Sequence, residues 1–271
     1  MADSRAIGVF DSGLGGLTVA KEIMKLMPFE NIVYFGDTAR VPYGTKGVDS
    51  IIKYARQDER FLLSKDVKMV VAACGTVSSV AAHTGEDLPV PFVEVISHSV
   101  KAAVKSSKNK KIGVLATPAT IKSHTHRDLI IKSCENAQVF ETAAPLLVSL
   151  AEEGWYQKEN AIARLTVQEY TKDMKENGVD TLILGCTHFP VFKDLISEYM
   201  PETTLIAMGV STAEYIKTAL TDSNMANECK KPSKHLFFVS DKAVTFEKTV
   251  KIFLGEVAEK ITIDRVDIEK V

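Results

Sequence analysis

At 271 residues, with 45% hydrophobic and 25% charged residues and a formal net charge of −2, the chain has the balance of a globular protein with material for two modest domains. It carries no Lys/Arg-rich block, so no nucleic-acid partner is expected, because phosphate neutralisation needs clustered basic charge. No apolar run approaches bilayer-spanning length, and the apolar stretch near the N-terminus is broken by Asp11 and several glycines, so no membrane association and no signal peptide are expected and a cytoplasmic location is the default.

Short apolar runs alternate with longer amphipathic segments. Residues 7–10 read as a strand, followed by a Gly-rich turn and a helix over 17–26. Residues 31–35 read as a second strand. Residues 50–64 have helical spacing, with Ile51, Ile52, Ala55, Phe61 and Leu62 on one stripe. Residues 67–73 are almost continuously apolar, as a strand buried on both faces must be, and 92–96 read as a fourth strand. The theme then restarts. A strand at 111–116 precedes a helix after Pro118, a strand at 139–142 and a helix at 160–176 closed by Asn177-Gly178. A strand at 181–185, a helix at 191–199 and a strand at 205–207 follow. A helix at 212–220, a strand at 236–239 and a helix at 244–253 complete the chain. Strands alternating with helices predict an α/β fold with mostly parallel sheets.

A weak internal repeat points to two similar halves. Residues 8–13 resemble 113–118, and 67–74 resemble 179–186. The glycine-to-cysteine separation is 66 residues in the first half and 73 in the second. The polar segment 106–111 reads as a surface loop near their boundary.

Ligands of an open parallel sheet bind beyond the carboxyl ends of its strands. Four such ends carry unusual residues: the turn 11–16, the segment 36–44, Cys74-Gly75-Thr76 and Cys186-Thr187-His188. The turn 13–16 lacks the full dinucleotide spacing and the P-loop lysine, so no nucleotide cofactor is expected. Cys74, Cys134, Cys186 and Cys229 form no C-x-x-C pair and are expected as free thiols. Cys134 and Cys229 lie in polar surroundings and read as incidental. Cys74 and Cys186 each close an aliphatic run before a segment with the look of a helix start, where the backbone dipole favours thiolate over thiol. A single buried cysteine would read as a small hydrophobe. Two in matching positions of two matching halves point to chemistry.

Two facing thiols suit inversion of a stereocentre: one removes a proton from one face while the other returns one to the opposite face. Asp11 is placed to polarise Cys74 or to receive a substrate ammonium, and His188 to assist Cys186 or to pair with a carboxylate. Ser12, Thr76 and Thr187 offer hydroxyls and backbone N–H groups to carboxylate oxygens, a role compatible with helix capping. Zinc at Cys186 and His188 would need further ligands, and His124 and His126 come from a separate segment; no metal is expected.

The segments 8–16, 36–44 and 184–190 resemble, in order and over nearly the full length, the signature segments of the bacterial glutamate racemases, within the aspartate/glutamate racemase family. That resemblance implies two similar α/β domains with the active site in the cleft between them, the first formed by 1–97 plus 211–271 and the second by 98–210. It implies interconversion of L- and D-glutamate without any cofactor, supply of D-glutamate for peptidoglycan, and a homodimer. It assigns Cys74 to the D-enantiomer and Cys186 to the L-enantiomer, with Asp11 and His188 assisting. It places Ser12, Tyr43, Gly44, Gly75, Thr76, Thr117, Thr120 and Thr187 in the substrate pocket. Glu152 resembles a further acidic residue near the second thiol, although a solvated helix-end carboxylate is an equally plain reading. One departure stands out: the family pattern has Asn after the first cysteine, where this chain has Gly75. The loss of a substrate hydrogen bond there is expected to weaken activity or to alter the amino acid accepted, which keeps aspartate racemisation and a catalytically weak amino-acid-binding regulator as alternatives. Residues 207–209 depart from the pattern as well.

Overall fold

The structure is a computed structural model that describes residues 3–229, 232–242, 246–255 and 261–270. It contains two parallel sheets. The first has six strands, β1 (Ile7–Asp11), β2 (Ile32–Gly36), β3 (Met69–Ala72), β4 (Phe92–Glu94), β9 (His235–Val239) and β10 (Ile263–Arg265), in the order β10-β9-β2-β1-β3-β4. The second has β5 (Lys111–Ala116), β6 (Gln138–Ala143), β7 (Thr181–Leu184) and β8 (Thr204–Ala207), in the order β6-β5-β7-β8. Every pairing is parallel.

The block β2-β1-β3-β4 and the sheet β6-β5-β7-β8 have one and the same strand order, so the internal repeat reflects a repeated topology. β1 and β5 lie between two neighbours each and are almost wholly buried, which is why they read as unbroken aliphatic runs. The register brings Phe10 beside Ala72 and Leu115 beside Leu184. The carboxyl ends of β1 and β3, and of β5 and β7, are therefore level within each sheet. Cys74 follows β3 and Cys186 follows β7, at equivalent places in the two units.

The chain passes from the first sheet to the second through the helix Ile96–Ser106 and returns through the helix Met208–Asp222. Most element boundaries differ from the sequence expectation by a residue or two. The strand expected at 92–96 stops at Glu94, because the Glu94 carboxylate accepts the N–H groups of Ile96 and Ser97 and starts a helix there. The helix expected at 191–199 is a 3-10 turn, Phe189–Phe192, that leads into a helix at Lys193–Tyr199. The start of the helix expected at 244–253 falls on residues outside the described ones; the described helix is Phe246–Leu254. β10 carries too short an apolar run to be read from the sequence. Among the described residues no helix is long and apolar enough to cross a membrane.

Candidate active site

The turns that carry Cys74 and Cys186 meet at one narrow cleft, closed down to about 20 Å³, room for about one water. Its wall is formed by Ser12, Val41, Pro42, Tyr43, Gly44, Cys74, Gly75 and Thr76 from the first unit, and by Thr117, Val148, Cys186, Thr187 and His188 from the second. Among the described residues no lysine or arginine lines it, and hydroxyls, backbone N–H groups and His188 are what the wall offers an anionic ligand.

On the first side, β1 ends in Asp11 and Ser12. The Cys74 thiol donates to Ser12 Oγ over 3.4 Å. Asp11 is fully buried; its Oδ2 accepts the Gly13 N–H at 3.0 Å and its Oδ1 accepts the Thr187 hydroxyl, from the other unit, at 3.4 Å. Burial, reinforced by the neighbouring Asp11 charge, pushes the Cys74 thiol up to about 12. The helix Gly75–Val80 does begin at Cys74, but its start does not make a low-pKa thiol as the sequence argument expected: burial and Asp11 outweigh the Val77 N–H and the Ser12 contact. Asp11 is itself raised by burial, against the opposing influence of His188 and of the Gly16 and Gly13 N–H groups.

On the second side, Cys186 precedes a turn rather than a regular helix. His188 Nδ1 lies 3.6 Å from Cys186 Sγ. His188 Nε2 lies 3.3 Å from Glu152 Oε1, within ion-pair distance but off the line of a good hydrogen bond. Burial pushes the imidazole down, yet Cys186 and Glu152 together outweigh it and hold His188 well above its ordinary value. That bias favours the imidazolium, the form in which Nδ1 donates to the sulfur. Glu152, at the end of the helix Pro145–Glu152, remains 36% exposed while it faces this buried charge.

The Gly-rich turn has a steric role. A Cβ at Gly15 would lie 2.5 Å from both His188 Nδ1 and Thr187 Oγ1, so only glycine lets the second unit approach there. Thr18, just beyond, donates its hydroxyl to the Thr187 carbonyl at 3.0 Å.

Tyr43 and Gly44 form the opposite lip. A Cβ at Gly44 would sit 2.7 Å from Thr117 Cβ. The fully buried Tyr43 hydroxyl donates to the Asp37 carboxylate, with Asp58 Oδ2 3.1 Å away. Asp37 also accepts Arg40 Nε at 2.5 Å and Ser240 Oγ at 2.9 Å, and Arg40 Nη2 lies 3.4 Å from Asp58 Oδ1. Burial, followed by the charge of Asp37, drives Asp58 well above the usual carboxylate range. Asp58 escaped the sequence reading because it lies within an amphipathic helix, Val48–Leu63, with no motif around it.

Thr76 and Thr117 face each other across the cleft with their hydroxyl oxygens 3.0 Å apart. Thr120 stands behind Thr117, 3.0 Å from its hydroxyl, and receives a hydrogen bond from Ser79 Oγ at 3.4 Å. It holds Thr117 and does not line the cleft. The other residues expected at the site are on the cleft wall, except Asp11 and Glu152, which lie one layer behind it.

Residues 24–215 match the Asp/Glu/hydantoin racemase family. The glutamate racemase of Neisseria meningitidis serogroup B is 43% identical over 262 residues, 95% of each chain. That of Syntrophus aciditrophicus is 41% identical over 251 residues, 92% of each. The crystal structure of the Francisella tularensis glutamate racemase in complex with D-glutamate superposes with a TM-score of 0.91 at 34% identity, over 99% of this chain and 100% of that one. Two topologically repeated units, a cysteine at the end of the same strand in each, and these matches establish that the chain belongs to the Asp/Glu/hydantoin racemase family of isomerases.

Proposed function

We propose that the protein interconverts L- and D-glutamate by proton transfer between Cα and two thiols, without a cofactor. The observation that carries this reading is that Cys74 and Cys186 line one cleft from opposite units, each with its own polar partner.

In the L-to-D direction the Cys186 thiolate takes the Cα proton, and the bonding electrons pass to the carbanion. The His188 imidazolium beside the sulfur stabilises the anionic starting form. The Cys74 thiol then delivers its proton to the opposite face and becomes the thiolate. In the D-to-L direction the roles reverse. A Cys74 that stays protonated in the resting cleft is poised to donate first, which suits capture of the L-enantiomer. The substrate carboxylates are held by the hydroxyls of Ser12, Thr76, Thr117 and Thr187 and by N–H groups of the surrounding turns. Asp11 supplies negative potential for the ammonium group. The two bodies, 1–97 with 211–271 and 98–210, flank the substrate. The reading carries with it a cytoplasmic homodimer that supplies D-glutamate for peptidoglycan.

The purified protein, given L- or D-glutamate in heavy water with nothing added, should drive both enantiomers to an equal mixture with deuterium at Cα. Turnover of aspartate with none of glutamate would move the substrate to the shorter acid, a reading that Gly75 favours by leaving a hydrogen-bonding side chain off the wall. Ligand binding with no deuterium at Cα would overturn catalysis altogether.

A further inference from the structure

We infer that the helix Phe246–Leu254 is a positioning element for the Cys186 half of the site, acting through Phe253 on the His188 ring. This deepens the racemase reading and rests on it. The helix lies beyond the residues that define the family match and packs against the helix Leu17–Leu26 of the first unit. It nevertheless reaches the second half-site at two points. The Phe253 ring stands perpendicular to the His188 ring, with centroids 5.4 Å apart, and only 2% of the residue is exposed. One turn earlier, the Thr249 hydroxyl donates to the Glu152 carbonyl at 3.3 Å.

His188 must keep two contacts at once, Nδ1 toward Cys186 and Nε2 toward Glu152. Rotation of the imidazole about its Cβ–Cγ bond would break both. A perpendicular aromatic ring packed against it resists that rotation and excludes water from the charged ring. Thr249 anchors the backbone of Glu152, the other partner. One helix therefore holds both groups that attend Cys186.

The test is the Phe253→Leu variant, which keeps apolar bulk and removes the ring. L and D are mirror images, so the equilibrium constant is one and kcat/KM must fall equally for both. The distinguishing readout is the isotope effect of Cα-deuterated substrate. If the Cys186 transfer alone is slowed, that effect rises when L-glutamate is the substrate and falls when D-glutamate is, because Cys74 breaks the Cα bond of the D-enantiomer. A loss of about fivefold in kcat/KM is expected, with Phe253→Tyr restoring most of it. Leu254→Val on the same helix should leave the isotope effects unchanged. Should Phe253→Leu fold poorly, Thr249→Val is expected to shift the same pair of isotope effects in the same directions. Unchanged isotope effects in a folded variant, or a rise with the D-enantiomer, overturn the inference. Absence of racemisation in the unaltered protein would instead end the functional reading on which it stands.

Discussion

A Cβ built on Gly75 would stand 2.5 Å from the carbonyl oxygen of Gly185. Gly75 begins the helix after Cys74, and Gly185 immediately precedes Cys186, so the two cysteine-bearing turns touch backbone to backbone. The obstacle is a main-chain oxygen that no rotamer can move aside; Met208 Cε, at 3.3 Å, closes the space beside it. The glycine that departs from the family Asn is thus matched to a closer approach of the two units. Gly75→Asn should force the turns apart and lower kcat/KM by about tenfold or more, the scale of an overpacking cost of about 1–3 kcal/mol. Gly47→Ala, where a Cβ meets nothing within 4 Å, is the matched control and should be neutral. A gain of activity in Gly75→Asn would show that the glycine is a lost substrate contact instead.

Cys74→Ala and Cys186→Ala should each reduce racemisation by about 10²–10⁴-fold, the range for loss of a general acid or base. Both side chains are small, so thermal unfolding should remain cooperative and close to that of the unaltered protein. Near-normal turnover by either variant would rule out the two-thiol scheme.

Glu152→Gln removes a carboxylate that holds His188 above its ordinary value. A histidine held above its ordinary value keeps its proton to higher pH, so activity that needs the imidazolium falls as pH rises through that raised value. With the carboxylate gone, that fall should begin at lower pH. The readout is kcat/KM against pH, with the alkaline limb displaced toward neutrality. An unmoved limb would leave Glu152 as a solvated helix-end group.

Asp58 and Asp37 should respond differently to amide substitution. Asp58 is raised by burial, so the stability its protonated form contributes is present at low pH and lost as pH rises through its elevated folded value. Asp58→Asn should flatten that decline and leave stability at neutral pH within about 1 kcal/mol or improve it. Asp37→Asn removes the charge that Arg40, Tyr43 and Ser240 all donate to, and should cost about 3–5 kcal/mol with a raised KM as the Tyr43 lip loosens. Urea titrations across pH separate the two outcomes, and equal losses in both variants would contradict this protonation assignment.

The alternation of strands and helices was legible because β1, β3, β5 and β7 are aliphatic runs whose burial on both faces leaves a plain mark; the order of the strands was not. The matching places of Cys74 and Cys186 were legible for the same reason. The state of Cys74 was not. A helix start can be read from local letters, but burial and the charge of Asp11, 63 residues earlier, cannot. Thr120 entered the pocket only through the family resemblance; its hydroxyl lies against that of Thr117, which is the one on the cleft wall. Phe253 and Asp58 carry no motif, and their importance comes from contacts between segments far apart in sequence.

The hydroxyl pair Thr76–Thr117 joins the two walls of the cleft by one neutral hydrogen bond. An ion pair across that seam would latch the units together, because stripping and rehydrating two charges is costly. Two threonines instead exchange each other for water at a net cost of only about 0.5–1.5 kcal/mol. The two walls are therefore fastened there by a bond weak enough to yield to a ligand that competes for either hydroxyl, yet directional enough to set their register.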